Sequence, residues 1–314
     1  MPRKYYMPQL EKSPMRRLWK RLFQLPVPSF PHTVLLETQT GCNATCVFCS
    51  YSQYKGRLAK GRMSDELFAK IVAQLAEYQP KYLIPCFFNE PLLDRGLEER
   101  LALVKEKIPR IKINLITNAS LLFPERARAF LTTKSRRPAL LHRLSISFQG
   151  ISKEKYERSM PGLSFQQTLE NVKYLLKLVK ERRLREPKIT VTMVNTQITA
   201  DEAEAAEQFW KARGAEFRLL PYEDRAGTVN SSGLAGNLRP YRSCRRPFNT
   251  AVILFDGKVV LCCVDLMRRM VLGDLNREDL YQIWNSGTFQ EIRKKLLSGR
   301  AEEIPLCRDC HIAE

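Results

Sequence analysis

Between residues 33 and 220, short apolar runs alternate with longer stretches in which apolar side chains recur every three or four positions. The runs Thr33–Glu37, Tyr82–Phe87, Lys112–Ile116, Arg143–Phe148, Lys188–Val194 and Glu216–Leu220 are β-branched or nearly continuous in apolar residues. That is the pattern of parallel strands buried on both faces. The intervening stretches predict helices over Asp65–Tyr78, Leu97–Lys107, Pro124–Thr132, Phe165–Arg183 and Asp201–Arg213. Ser64 and Ser164 stand at N-cap positions and Gly214 at a helix stop. Six strands alternating with five helices predict repeated right-handed βαβ units. Six strands are too few to close an eight-stranded barrel. The expected fold is therefore α/β, as an open sheet or a partial (β/α)6 barrel. In either form the site lies at the C-terminal ends of the strands.

The flanking segments differ from this pattern. Residues 1–32 carry Arg3, Lys4, Lys12, Arg16, Arg17, Lys20 and Arg21 against one acid, Glu11. Leu18, Trp19, Leu22 and Phe23 share one face at helical spacing, and Pro26, Pro28 and Pro31 end any helix. Such a basic amphipathic extension either packs its apolar face on the domain, lies on an anionic membrane surface, or holds an acidic peptide. Residues 223–240 are rich in Gly, Asn and Ser and read as a linker after a domain spanning 33–222. Residues 241–314 predict a small domain with a β-hairpin, Ala251–Phe255 and Lys258–Leu261, turning at Asp256-Gly257, and a helix over about Leu280–Leu297.

Composition narrows the function. The 314 residues hold 52 Lys and Arg against 33 Asp and Glu, a formal charge of +19. An acidic partner is favoured, whether nucleic acid, lipid, peptide or phosphorylated metabolite. No apolar run is long enough to predict a membrane-spanning helix. The nine cysteines are odd in number, and no export-signal pattern precedes them. A reducing, cytoplasmic setting is expected, where clustered cysteines serve as metal ligands or catalytic groups.

One cluster follows the first strand: Gly41-Cys42-Asn43-Ala44-Thr45-Cys46-Val47-Phe48-Cys49. Three thiolates spaced C-x3-C-x2-C on one loop can hold three irons of a 4Fe-4S cluster and leave the fourth open. A structural zinc ion would ask for a fourth ligand, and His32 alone among the histidines is near in sequence.

The loop resembles that of the radical S-adenosylmethionine (radical SAM) enzymes. The resemblance implies that SAM chelates the open iron and is reductively cleaved to a 5′-deoxyadenosyl radical. It also implies that Phe48 packs by the adenine. Asn89-Glu90-Pro91 ends the second strand and is similar to the family's Gly-Gly-Glu-Pro-like motif for the SAM amino group, with Asn89 in place of Gly. Thr117-Asn118-Ala119 ends the third strand and resembles the family's Thr-Asn-Gly, with Ala in place of Gly. Ser145-Ile146-Ser147-Phe148-Gln149-Gly150 ends the fourth and is similar to Ser-Leu-Asp-Gly. There Ser147 is expected near the SAM ribose or carboxylate, and Gln149 replaces the common Asp.

The second cluster comprises Cys244, Gly257-x4-Cys262-Cys263 and Cys307-Arg308-Asp309-Cys310. On spacing alone it also suits a zinc knuckle. With Gly273-Asp274-Leu275, Ile283-Trp284-Asn285-Ser286, Phe289 and Ile292-Arg293, it resembles the SPASM/twitch extensions that bind auxiliary 4Fe-4S clusters. The resemblance so extends over residues 33–314. It implies one auxiliary cluster held by Cys244, Cys262, Cys307 and Cys310. Cys263 is the alternative to Cys262 as ligand, but is expected on the opposite face of the strand. Cys86 and Cys263 each read as a small buried side chain or as a hydrogen-atom donor.

The expected activity is oxidation of a small-molecule or sugar-type substrate, acidic or phosphorylated, with the auxiliary cluster as electron acceptor. The expected reductant is a flavodoxin- or ferredoxin-like protein. A peptide-modifying enzyme that epimerises or cross-links is the alternative, and a zinc-binding nucleic-acid module is the alternative from another class. The radical SAM reading leaves no nucleic acid to be expected. Tyr222, Glu223, Asp224 and Arg225, after the last strand, are candidates for substrate contact or for a solvated linker entry.

Overall fold

In the computed structural model, which describes residues 27–131, 140–229, 233–241 and 244–313, the six predicted strands form one parallel run. They are β1 (Thr33–Leu36), β2 (Tyr82–Ile84), β3 (Lys112–Thr117), β4 (Arg143–Ser147), β5 (Lys188–Val194) and β6 (Glu216–Leu220). β7 (Leu238–Pro240), β8 (Thr250–Ile253), β9 (Lys258–Val260), β10 (Val271–Asp274) and β11 (His311–Ala313) follow. The main sheet has nine strands in the order β10-β9-β8-β1-β2-β3-β4-β5-β6. No closed barrel forms among the described residues, so the architecture is a partial barrel extended at its β1 edge.

The helices in chain order are α1 (Ser50–Tyr54), α2 (Asp65–Tyr78), α3 (Leu97–Lys107), α4 (Pro124–Leu131), α5 (Lys153–Ser159), α6 (Phe165–Glu181), α7 (Ala203–Lys211), α8 (Arg246–Asn249), α9 (Leu280–Trp284), α10 (Gly287–Leu297) and α11 (Pro305–Arg308). The predicted caps are formed. Ser64 Oγ accepts from Leu67 N at 3.1 Å, and Ser164 Oγ from Gln167 N at 3.4 Å. Apolar residues from one strand face, including Val34, Leu36, Ile113, Leu115, Leu144, Ile146 and Val191, are sealed together with helix residues such as Ile71, Val104, Phe130, Val172 and Trp210. The alternate positions, among them Leu35, Ser145 and Ser147, are only half-buried. Strands β1 to β4 are thus fully sealed on the helix side alone, contrary to the two-sided burial expected from their composition, and β6 at the sheet edge is largely exposed. The other face is free to line a site.

Two features of the C-terminal region differ from expectation. The single helix over Leu280–Leu297 is two, broken at Asn285-Ser286. Ser286 Oγ accepts from Phe289 N at 3.3 Å and starts the second helix, while Asn285 Nδ2 donates to Ser29 O at 3.0 Å. The β8–β9 hairpin does turn at Gly257, at φ 85°, but β8 also pairs in parallel with β1 over four residues. The hairpin continues the barrel sheet instead of standing apart from it. Stretches 223–229 and 233–240 are packed: Asp224 is buried, Glu223 bridges Ile312, and β7 pairs with β11.

The basic face and the Trp19/Phe23 stripe expected near the start lie outside the described residues. Where the description begins, Pro28 O accepts from Trp284 Nε1 at 2.8 Å and Phe30 stacks on Tyr78. Among the described residues, no helix is long and apolar enough to cross a membrane.

Candidate active site

The first cysteine loop leaves β1 and is fastened at both ends. Gly41 turns at φ 109°, a conformation that favours glycine, and its carbonyl accepts from Glu90 N at 2.8 Å. Farther on, Thr45 N donates to Pro161 O at 2.8 Å and Val47 N to Ser159 O at 3.1 Å. Cys49 caps α1, and its N–H donates to Cys46 O at 3.1 Å. Burial, reinforced by the neighbouring thiols, pushes Cys42 up to about 11 and raises Cys46. Cys49 is raised by burial. Three half-buried sulfurs this close together are unfavourable as thiolates unless a cation joins them. No three His, Cys, Asp or Glu side chains among the described residues converge as tightly as one metal ion requires. The irons of a 4Fe-4S cubane occupy separate corners, so its ligands need not converge on a point. The all-thiol donor set fits such a cluster.

The exits of β2, β3 and β4 close around this loop. Glu90 is buried and held by three donors: Thr117 Oγ1 at 2.6 Å, Asn118 N at 2.7 Å and Leu92 N at 3.0 Å. Burial raises its pKa against the pull of those bonds. Its carboxylate therefore fastens the β2 exit to the β3 exit, and Pro91 starts the short turn that follows. Asn89 Oδ1 accepts from Phe87 N at 2.8 Å, whereas its buried Nδ2 has no partner among the described residues. An orphaned buried donor at the β2 exit, one residue before Glu90, is what a polar ligand such as SAM would satisfy. Asn118 Nδ2 donates to Asn43 Oδ1 at 3.0 Å and lies 4.0 Å from Cys42 Sγ. Asn118 Oδ1 accepts from both Ser120 N and Ser120 Oγ. Ala119 sits at φ 59°, which explains why glycine is at home there. Gln149 is buried with its Oε1 accepting from Val194 N at 2.9 Å, so it ties β4 to β5. Ser147 is half-buried at the end of β4. Phe48 packs against the cluster of Tyr222, Val229 and Leu234, in which the buried Tyr222 hydroxyl has no partner among the described residues.

Of the second set, Cys244, Cys262, Cys263 and Cys310 share the field of Arg246. Burial raises Cys244 and pushes Cys310 up to about 12, with the Arg246 cation opposing both shifts. Cys307 sits on α11, with Cys310 N donating to its carbonyl at 3.3 Å. Cys262 and Cys263 are not on opposite faces of a strand. β9 ends at Val260, and the two thiols hydrogen-bond each other in the turn beyond. That bond holds Cys263 down and Cys262 up, and Arg246 and Arg225 also favour the Cys263 thiolate. Asp224 receives His311 N at 2.9 Å and pairs with His311 Nδ1 at 2.8 Å, binding the β6 exit to the last cysteine segment. Cys86, on the β2 exit, has its thiol raised by burial and by Glu90 and Glu37.

Glu37 was not among the expected site residues. It ends the β1 run, buried, with Oε2 accepting from Phe255 N at 3.3 Å. With Thr40, Tyr51, Phe87, Phe88 and Arg268 it lines a cavity of about 30 Å³, room for a water or two. A lone acid closing an apolar strand was the available signal.

Comparison with known proteins agrees with this geometry. Residues 36–209 match the radical SAM superfamily model, and residues 244–311 match SPASM, an iron–sulfur cluster-binding domain. A protein of Niallia circulans, S-adenosyl-L-methionine-dependent 2-deoxy-scyllo-inosamine dehydrogenase, is 24% identical over 283 residues, 88% of this chain and 91% of that one. The fold is similar to BtrN in complex with AdoMet and 2-DOIA, at TM-score 0.62 and 20% identity over 90% of this chain and 93% of that one. It is also similar to Streptococcus suis SuiB bound to precursor peptide SuiA, at TM-score 0.68 and 14% identity over 91% and 74%. With a family match across more than half its length, the chain belongs to the radical SAM superfamily: it is an enzyme that uses a 4Fe-4S cluster with SAM and carries a SPASM domain for an auxiliary iron–sulfur cluster.

Proposed function

We propose that this enzyme removes a hydrogen atom from an alcohol carbon of a small-molecule or sugar-type substrate and oxidises it. In this reading Cys42, Cys46 and Cys49 hold the SAM-binding cluster. Cys244, Cys262, Cys307 and Cys310 hold one auxiliary 4Fe-4S cluster as electron acceptor. When bound, the first cluster and SAM supply a 5′-deoxyadenosyl radical able to break an unactivated C–H bond. The observation that carries the reading is that one segment is bonded beside both cysteine sets: Thr228 Oγ1 and Ser50 Oγ, next to Cys49, hydrogen-bond at 2.7 Å, and Asp224 pairs with His311, next to Cys310, at 2.8 Å. The two cysteine sets are thus both tied to residues 224–228, which follow the last barrel strand. The relative from Niallia circulans, a dehydrogenase by name, supports an alcohol as the reacting group.

The chain's residues have distinct tasks. Glu90, Thr117, Asn118 and Gln149 fix the strand exits relative to one another. Asn89 Nδ2 offers an unused donor to SAM, Phe48 an aromatic wall to its adenine, and Ser147 a hydroxyl toward its ribose or carboxylate. Substrate contact is assigned to Tyr222, Glu223 and Arg225, which follow the last barrel strand, whereas Asp224 is engaged with His311. The +19 charge suits an acidic flavodoxin- or ferredoxin-like reductant, or a phosphorylated substrate, in the cytoplasm.

A second reading rests on Cys86. Burial keeps its thiol protonated, the form that donates a hydrogen atom, and an epimerising enzyme acting on peptide needs such a donor. Anaerobic reconstitution followed by dithionite and SAM tests the first reading. About eight irons per chain, the content of two four-iron clusters, and 5′-deoxyadenosine are expected. With an aminocyclitol such as 2-deoxy-scyllo-inosamine present, a ketone should form. About four irons would overturn the auxiliary assignment. Deuterium uptake from solvent into a peptide, abolished by Cys86→Ala, would favour the second reading.

A further inference from the structure

The auxiliary cysteines carry a fixed counter-charge that the cysteine spacing does not reveal. Arg246 opens α8 two residues after Cys244, and its backbone N–H hydrogen-bonds the Cys244 sulfur. Its Nη2 donates to Glu223 at 2.8 and 3.2 Å, and its guanidinium stands 5.9 Å from the Tyr241 ring centroid. Tyr241 N in turn donates to Cys310 O at 2.9 Å. Glu223 is anchored by its bridge to Ile312, two residues past Cys310. One cation is therefore clamped by the segments that carry the first and last cysteines of the set. The sulfurs of Cys244, Cys262, Cys263 and Cys310 all feel its charge.

We propose that Arg246, oriented by Glu223, is a positioning residue that raises the reduction potential of the auxiliary cluster. This rests on the assignment of that cluster to Cys244, Cys262, Cys307 and Cys310. Reducing a four-thiolate cluster adds one negative charge to a group already anionic. A fixed cation stabilises the reduced form more than the oxidised form, and shielding by the surrounding protein keeps that difference large. An N–H donated to a ligand sulfur acts in the same direction. The Glu223 carboxylate partly cancels the cation. The pair is thus a potential setter with two arms of opposite sign, and it makes the cluster an electron acceptor.

The test is an anaerobic redox titration followed by electron paramagnetic resonance. It uses the full chain with Cys42, Cys46 and Cys49 replaced by Ala, so that the auxiliary signal stands alone. Arg246→Gln should disfavour reduction at least tenfold, a fall of about 59 mV for one electron. Glu223→Gln should shift the midpoint upward, and Arg246→Lys should keep most of the wild-type value. A merely structural role would lower iron content and leave the midpoint in place. Unchanged midpoints, or shifts of the same sign in both Gln variants, overturn the inference. Should Arg246→Gln fail to hold iron, the upward shift in Glu223→Gln decides, and its absence overturns the inference equally. If the triple-Cys parent holds no iron, the cysteine assignment itself fails, which is a different result from an unmoved midpoint.

Discussion

Glu37 places a carboxyl at the β1 exit where burial favours its neutral form. Its pKa is pushed up to about 7 by burial, with Asp256 adding to the rise, while the Phe255 N–H and Arg268 pull it down. Tyr51 and Cys86 face the same group and feel its charge. In the unfolded chain the carboxyl ionises near its ordinary value of 4.5. The folded state therefore binds the extra proton between about pH 4.5 and 7. The stability this group contributes is complete below that window and is lost as pH rises through it. Glu37→Gln cannot ionise, yet its amide oxygen can still accept from Phe255 N. The variant should match wild type near pH 4.5 and exceed it by about 3 kcal/mol at pH 8. Urea denaturation of both apo proteins across that range measures the gap, and a gap independent of pH would show that the carboxyl ionises freely. Asn171 acts at the same scale. Its buried Nδ2 donates to Ala119 O and Ser120 O, both at 3.0 Å, beneath the Thr-Asn-Ala turn. Asn171→Ala removes the donor to Ser120 O and leaves Ala119 O with Leu122 N alone, and should cost about 1–2 kcal/mol in the same assay.

At the level of elements, α9 and α10 are joined by a side chain rather than by continuous helix. The Arg293 guanidinium stacks 4.0 Å from the Trp284 ring centroid and 4.1 Å from that of Phe289. It donates to Trp284 O at 2.8 Å and to Pro247 O at 2.9 Å, tying the helix pair to α8 and so to the Cys244 segment. Burial lowers its pKa to about 10, so it remains charged at neutral pH. Arg293→Met keeps most of the volume and loses both bonds. It should destabilise the protein by about 2 kcal/mol and release auxiliary iron in milder guanidinium than wild type. Retention of iron at the wild-type denaturant concentration would mean that α8 is held independently. The helix break itself shows where sequence patterning stops. α2, α3, β5 and β6 have their predicted bounds because periodicity and caps such as Ser64 are local signals. The Asn285-Ser286 break depends on Ser29, far away in the chain, and β7 and β11 are strands of three residues that pair with each other from distant parts of the chain. The site divides in the same way. Cysteine spacing makes ligand candidates visible, but not the cation that faces them or the turn in which Cys263 meets Cys262.

At the scale of the whole molecule, β1 is an interior strand only because the C-terminal region supplies β8. Thr33 pairs with Tyr82 on one side and with Thr250 on the other, and Glu37 N donates to Ile253 O at 2.9 Å just beyond. Lys70 Nζ of α2 reaches Leu275 O at 2.7 Å, so the helix layer is also tied across the join. A chain ending at residue 240 would expose the β1 edge and the apolar surface that Ala251 and Ile253 cover in the shared core. An unpaired, apolar parallel edge is a template for association with other chains. The truncated protein should therefore elute in the aggregate fraction on size exclusion. Full-length Cys307→Ala/Cys310→Ala, which loses ligand candidates but keeps β8, should elute with wild type. This pair of variants separates the sheet from the metal as the tie between the two regions. A 1–240 fragment that stays dispersed and still assembles a cluster on Cys42, Cys46 and Cys49 would show that the barrel folds without its added strands. If the double Cys variant instead aggregates as the truncation does, the auxiliary cluster, and not the β1–β8 pairing, holds the regions together.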